Sequence, residues 1–121
     1  MDIMKLPHHH GEQYEITFIQ KQLNQVANFQ TVADVFKQLS DTTRIRIFWL
    51  LCHYEECVIN ISALLNMSSP AVSHHLRLLK NSGLIVSRRI KKEVYYHAAD
   101  TVQVHLLHQM IEQVMEITCP Q

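Results

Sequence analysis

Glycine is nearly missing from this 121-residue chain, which contains only Gly11 and Gly83. Phosphate-cradling loops and nucleophile elbows need clustered glycines, so neither kind of chemistry is expected. Cysteine is scarce as well. Cys52, Cys57 and Cys119 are an odd number, which argues against a secreted disulfide framework. Apolar runs are short: the longest, "IFWLLC", falls far below the roughly 20 residues that span a bilayer. The opening "MDIMKLPHHHGEQ" lacks the apolar core of a secretory signal, so a cytoplasmic protein with no membrane partner is expected. "HLLH" lacks the glutamate of a zinc-hydrolase H-E-x-x-H, and no paired-carboxylate cleft is suggested. An enzyme is not expected.

Net charge is absent too, with 11 basic and 11 acidic residues, but this zero is a cancellation. Between positions 69 and 98, Arg77, Lys80, Arg88, Arg89, Lys91 and Lys92 face Glu93 alone, a local +5. The remaining residues carry five basic and ten acidic groups, a balancing −5. A basic module on an acidic body is the footprint of a surface that meets DNA. The same window contains "SSPAVSHHLRLLKNSGL". Ser69 and Pro70 predict a helix start and Gly83 a helix stop, spanning Ser69 to Asn81. Val72, Leu76 and Leu79 form its apolar stripe, while Ser73, His74, Arg77 and Asn81 lie on the opposite side. The adjacent histidines therefore differ: His74 points outward and His75 leans toward the core flank.

The rest of the chain supplies the frame. Residues 1–13 lack periodicity and read as a flexible, histidine-containing arm, and residues 14–121 read as a single domain. A helical stripe begins with Ile16, Ile19, Leu23 and Val26 and continues through Val32 and Phe36 to about Leu39. Asp41 is expected to cap "TTRIRIFWLLCHY", and Asn60 to cap "ISALLNM". This last helix and the one from Ser69 form a helix-turn-helix. "LIVSRRI" and "EVYYHA" read as a hairpin. Asp100 is expected to open the final helix, with Val104, Leu107, Ile111 and Val114 on one face. The predicted fold is mostly α with a small β-hairpin: a winged helix-turn-helix with an extra helix at each end.

The residues from "LSDTTRIRIFWLLCHY" to "VYYHAAD", above all "AVSHHLRLLKNSGLI", "VYYH" and the "CV" before the second short helix, resemble the ArsR/SmtB repressors. The resemblance runs from about Val32 to Asp100. It implies a homodimer built on the first and last helices that binds an operator inverted repeat in double-stranded DNA. It places Ser73 and His74 on the DNA, the residues that the outward stripe reaches independently. The expected DNA-binding set is Ser69, Ser73, His74, His75 and Arg77, with Arg88, Arg89, Lys91 and Lys92 holding phosphates. The chain departs from the family at His75, where glutamine is usual, and at a wing tip that lacks the common glycine.

The resemblance also implies a metal-responsive repressor and offers two places for the ion. One joins His8, His9 and His10 of the arm to Cys57, which reads equally as a polar arm beside a small buried thiol. The other lies on the last helix, where Asp100 and Glu116 fit the family pattern but Val102 and Gln113 replace its two histidines. His105, His108, Glu112 and Glu116 nevertheless share one polar stripe there, which also reads as a solvated face. His97 reads as a surface residue. Imidazole-rich sets favour Zn²⁺, with Ni²⁺ and Co²⁺ as the other ions of matching character. The alternative within the same fold is a thiol-based redox or sulfur sensor using Cys52 and Cys119.

Overall fold

The computed structural model describes residues 5–8 and 15–116. The chain falls into two units, Met1–Asp34 and Val35–Gln121. In the first, the expected continuous stripe is broken into α1 (Ile16–Leu23) and the start of α2 (Val26–Gln38). The break sits at Asn24: its backbone N–H bonds the Gln20 carbonyl, the next N–H, of Gln25, bonds that of Gln22, and α1 ends there. Asparagine is a weak helix former, so a break falls here although apolar spacing alone predicts continuation. Neither helix buries a residue: Phe18, Leu23, Val26, Phe29 and Val32 are all exposed.

The second unit holds the core. Phe48, Ile47, Ile61, Leu76, Leu79, Ile85 and Val72 are its fully buried side chains. Removing each from water contributes about 1.5–3 kcal/mol, which commits α3 (Thr42–His53), α4 (Val58–Leu65), α5 (Ser69–Asn81) and the sheet to one centre. Asp41 caps α3 as expected. Its carboxylate accepts the Arg44 backbone N–H at 2.9 Å, and that bond holds its pKa below the usual value.

Three caps differ from expectation. Cys57, not Asn60, stands at the N-cap of α4, and the Asn60 amide instead donates to Glu56 at 2.8 Å. Ser68, not Ser69, caps α5 by accepting the Ala71 N–H, which leaves Ser69 and Pro70 in the first turn. Thr101, not Asp100, caps α6 (Val102–Met115). Between α4 and α5, Asn66 takes the left-handed conformation (φ 53°) and makes the tight turn that positions the second helix. Gly83 (φ 77°) ends α5 in the same way.

The wing is antiparallel. β2 (Ile85–Ile90) pairs with β3 (Glu93–Ala98) from Ile85↔Ala98 to Ile90↔Glu93 across a Lys91–Lys92 turn. Lys91 takes a positive φ (58°) in that turn, a conformation that favours glycine. A third strand, β1 (Glu56–Cys57), escapes sequence reading because two residues carry no periodicity; it pairs with β3 at Tyr95 and Tyr96. The sheet order is β1-β3-β2. On α6, Val104 and Ile111 are buried and Leu107 half-buried in the chain's own core. Val114 does not join them. It is exposed in a second apolar row with Val102, Leu106 and Met110, at i, i+4, i+8 and i+12.

Candidate nucleic-acid interface and metal centre

Because Val72, Leu76 and Leu79 are driven inward, α5 turns its other side to solvent, with His74 and Arg77 exposed and Ser73 half-buried. His75 is held differently. Its Nδ1 accepts from Arg44 Nε at 3.3 Å, and Arg44 Nη1 donates to the Gln38 side-chain oxygen at 2.7 Å. Burial keeps the His75 pKa below the ordinary histidine value, so the neutral ring that accepts this bond is favoured. Ser69 is exposed, with its Oγ 3.3 Å from that of Ser62.

Lys80 ties the helix to the wing by donating to Ser87 Oγ at 2.8 Å. On the wing, Arg89, Lys91 and Lys92 are exposed and make no ion pair among the described residues. Arg88 is occupied. Its Nε and Nη2 both donate to the Glu55 carboxylate, which lowers the Glu55 pKa and raises that of Arg88.

The residues expected to hold metal are partly separated. His9 and His10 lie outside the described residues, His8 is exposed, and Cys57 is buried. Of the last-helix set, His105 turns to Asp100, Nε2 to Oδ1 2.7 Å, on the exposed surface. Glu116 closes the helix in the left-handed conformation, exposed. His108 and Glu112 instead turn inward and meet His53, a residue that sequence reading missed.

His53 Nε2 stands 3.2 Å from Glu112 Oε1, His108 Nε2 3.0 Å from the same oxygen, and the two Nε2 atoms 3.2 Å from each other. Trp49 Nε1 donates to that oxygen at 2.7 Å. The His53, Glu112 and His108 side chains are only 7%, 9% and 19% exposed. A signal was available for two of them: Val104, His108 and Glu112 follow at i, i+4 and i+8, so the pair shares a face with a core valine. For His53, in the last turn of α3, no local pattern points to α6.

Beside this cluster opens a cleft of about 270 Å³ lined by Cys52, His53, His97, Asp100, His105 and His108. Cys52 is half-buried; Cys119, its expected redox partner, lies outside the described residues. No helix among the described residues is long and apolar enough to cross a membrane.

Residues 41–87 match the family described as "Bacterial regulatory protein, arsR family". A transcriptional repressor SmtB homolog of Synechocystis sp. is 31% identical over 102 residues, covering 84% of this chain and 77% of its own length. A cadmium resistance transcriptional regulatory protein CadC homolog of Staphylococcus aureus is 42% identical over 88 residues, covering 68% and 73%. Among solved structures, the homodimeric winged helix-turn-helix DNA-binding domain of a Mycobacterium bovis protein superposes with a TM-score of 0.68 at 31% identity, covering 75% of this chain and 83% of that one.

Proposed function

This chain belongs to the arsR family of bacterial regulatory proteins, and from that premise we propose that it is a transcriptional repressor that binds operator DNA as a homodimer and lets go when it takes up zinc. The observation that carries the reading is the one-sided build of residues 69–98. The exposed His74 and Arg77 of α5 and the exposed Arg89, Lys91 and Lys92 of the wing belong to one module of net charge +5. In this reading His74, Ser73 and Arg77 enter the major groove and meet base edges, while the wing cations grip phosphates.

Two such helices are needed, set one DNA turn apart by a two-fold axis. The outward row Val102, Leu106, Met110 and Val114 supplies an apolar surface for that pairing. Zinc acts by binding more tightly to a dimer form that fits DNA poorly, and that difference in affinity is what releases the operator. The Synechocystis relative is a transcriptional repressor homolog and the Staphylococcus aureus relative a cadmium resistance regulatory protein homolog, which supports a metal-responsive transcriptional regulator.

Fluorescence anisotropy tests it, with a labelled fragment carrying the chain's own promoter against random DNA, with and without Zn²⁺. The promoter fragment should bind more tightly, and Zn²⁺ should weaken it. His74→Ala should lose discrimination between the two DNAs, whereas Lys91→Ala should weaken both about equally. Equal binding of promoter and random DNA by the unaltered protein, at every metal concentration, refutes the reading.

A further inference from the structure

We propose that His53, His108 and Glu112 form a zinc site contained within a single chain, clamping the end of α3 to the middle of α6 and open to the cleft at its fourth position. The site differs from both places that the family resemblance suggests. It uses no arm residue and no residue of a second chain, and it excludes Asp100, His105 and Glu116.

Geometry is the first argument. A tetrahedron with metal–nitrogen and metal–oxygen bonds of about 2.0–2.1 Å has edges of about 3.3–3.4 Å. The three donor atoms already form a triangle with sides of 3.0, 3.2 and 3.2 Å. Little movement separates this triangle from one face of such a tetrahedron. Hydrogen bonds can join either ring to Glu112 Oε1 but cannot make all three sides at once: when both Nε2 atoms donate to that oxygen, no bond joins them to each other. One divalent ion satisfies all three donors together and offsets the buried carboxylate charge.

Surroundings are the second. The Trp49 indole N–H donates to the Glu112 carboxylate and so orients it, as outer-shell donors do at metal sites. The cleft gives access, and its rim carries further donors in His97, Asp100 and His105. Two imidazoles and a carboxylate suit Zn²⁺, with Co²⁺ as its spectroscopic substitute. Cys52 lines the cleft but is not part of the cluster, so the three donors themselves favour borderline over thiol-seeking ions.

The site is also placed to act on DNA. His53 ends α3, and Arg44 lies in its first turn about 13 Å away at 1.5 Å per residue. Arg44 bonds His75 of α5. Tightening His53 toward α6 therefore pulls on a rigid helix whose other end touches the recognition helix. This coupling rests on the repressor reading above; occupancy of the site does not.

The test uses the untagged full chain, stripped of metal and titrated with Co²⁺ and Zn²⁺. Trp49, the only tryptophan, is the fluorescent reporter. The unaltered protein and a His8/His9/His10→Ala variant should both develop the visible band of tetrahedral Co²⁺ at one ion per chain, with quenching of Trp49. His53→Gln and Glu112→Gln should lose the band and bind at least about 100-fold more weakly, the upper end of what outer-shell changes alone produce. Glu112→Gln keeps an oxygen for Trp49, so its melting temperature without metal reports folding. Zn²⁺ should raise the melting temperature of the unaltered protein and of neither variant.

A His53→Gln protein that keeps the band and the affinity overturns the site, as does loss of the band in the arm variant. A loaded protein that stays on its operator refutes the coupling alone. Failure to bind promoter DNA in any state refutes the repressor reading and leaves the site standing.

Discussion

Replacing Leu106 with glutamate tests whether the outward row of α6 joins two chains. Val102, Leu106, Met110 and Val114 are 71%, 59%, 46% and 79% exposed. Complete burial of such a side chain contributes about 1.5–3 kcal/mol, so the exposed part of Leu106 offers about 1–2 kcal/mol. A two-fold interface counts it twice, giving about 2–4 kcal/mol per dimer. Glutamate forfeits that and forces two carboxylates toward a dry seam, which costs at least about 1–3 kcal/mol more. At 1.4 kcal/mol per factor of ten, the dimer dissociation constant should rise by more than about 100-fold. Sedimentation equilibrium across a concentration series measures it directly. The same exchange at Ile59, exposed on α4, should leave association unchanged. A Leu106→Glu protein that associates as tightly as the unaltered chain would refute the argument, and the seam would have to be sought elsewhere.

Other expectations concern single positions. Gly83→Ala should lower stability by about 1 kcal/mol by thermal or urea unfolding, because its φ of 77° disfavours any Cβ even though the space around it is open. Lys91→Gly should do the reverse, gaining about 1 kcal/mol at φ 58° while weakening DNA binding through the lost charge. His75 is held neutral by burial, so its folded pKa lies below the unfolded value near 6.5. The unfolded chain takes up this proton first, so stability present above pH 6.5 declines as the pH falls from there toward the folded pKa. His75→Gln should remove that part of the decline. Matching unfolding curves for both proteins between pH 8 and pH 5 would contradict it.

How far the sequence could be read depended on how local the cause was. The α5 stripe of Val72, Leu76 and Leu79, bracketed by a serine–proline start and a glycine stop, was legible because every determinant lies within one helix. Ser68 and Ser69 offer the same hydroxyl, so only geometry separates cap from first turn. The break at Asn24 and the two-residue β1 leave no periodic trace. On α6 two apolar rows run side by side, Val104–Leu107–Ile111 and Val102–Leu106–Met110–Val114, and spacing alone cannot tell which one the chain buries itself. His108 and Glu112 were legible as a pair on the last helix. His53 was not, because it meets them only through packing between positions 55 and 59 residues apart in the chain.

The Glu55–Arg88 pair bears on how ionic strength governs this protein's attachment to nucleic acid. Binding draws much of its strength from ions released off the phosphates, about 0.9 per phosphate neutralised on duplex DNA. An arginine already neutralised by a carboxylate of its own chain displaces none of them unless it abandons that carboxylate. Each wing then contributes Arg89, Lys91 and Lys92 rather than all four cations, and the logarithm of affinity falls less steeply with the logarithm of salt than the sequence charge suggests. Glu55 thereby acts as a built-in competitor for DNA phosphate. Removing its charge should strengthen binding to any duplex at low salt and make that binding more salt-sensitive, so the intact carboxylate trades indiscriminate grip for dependence on the bases read by α5.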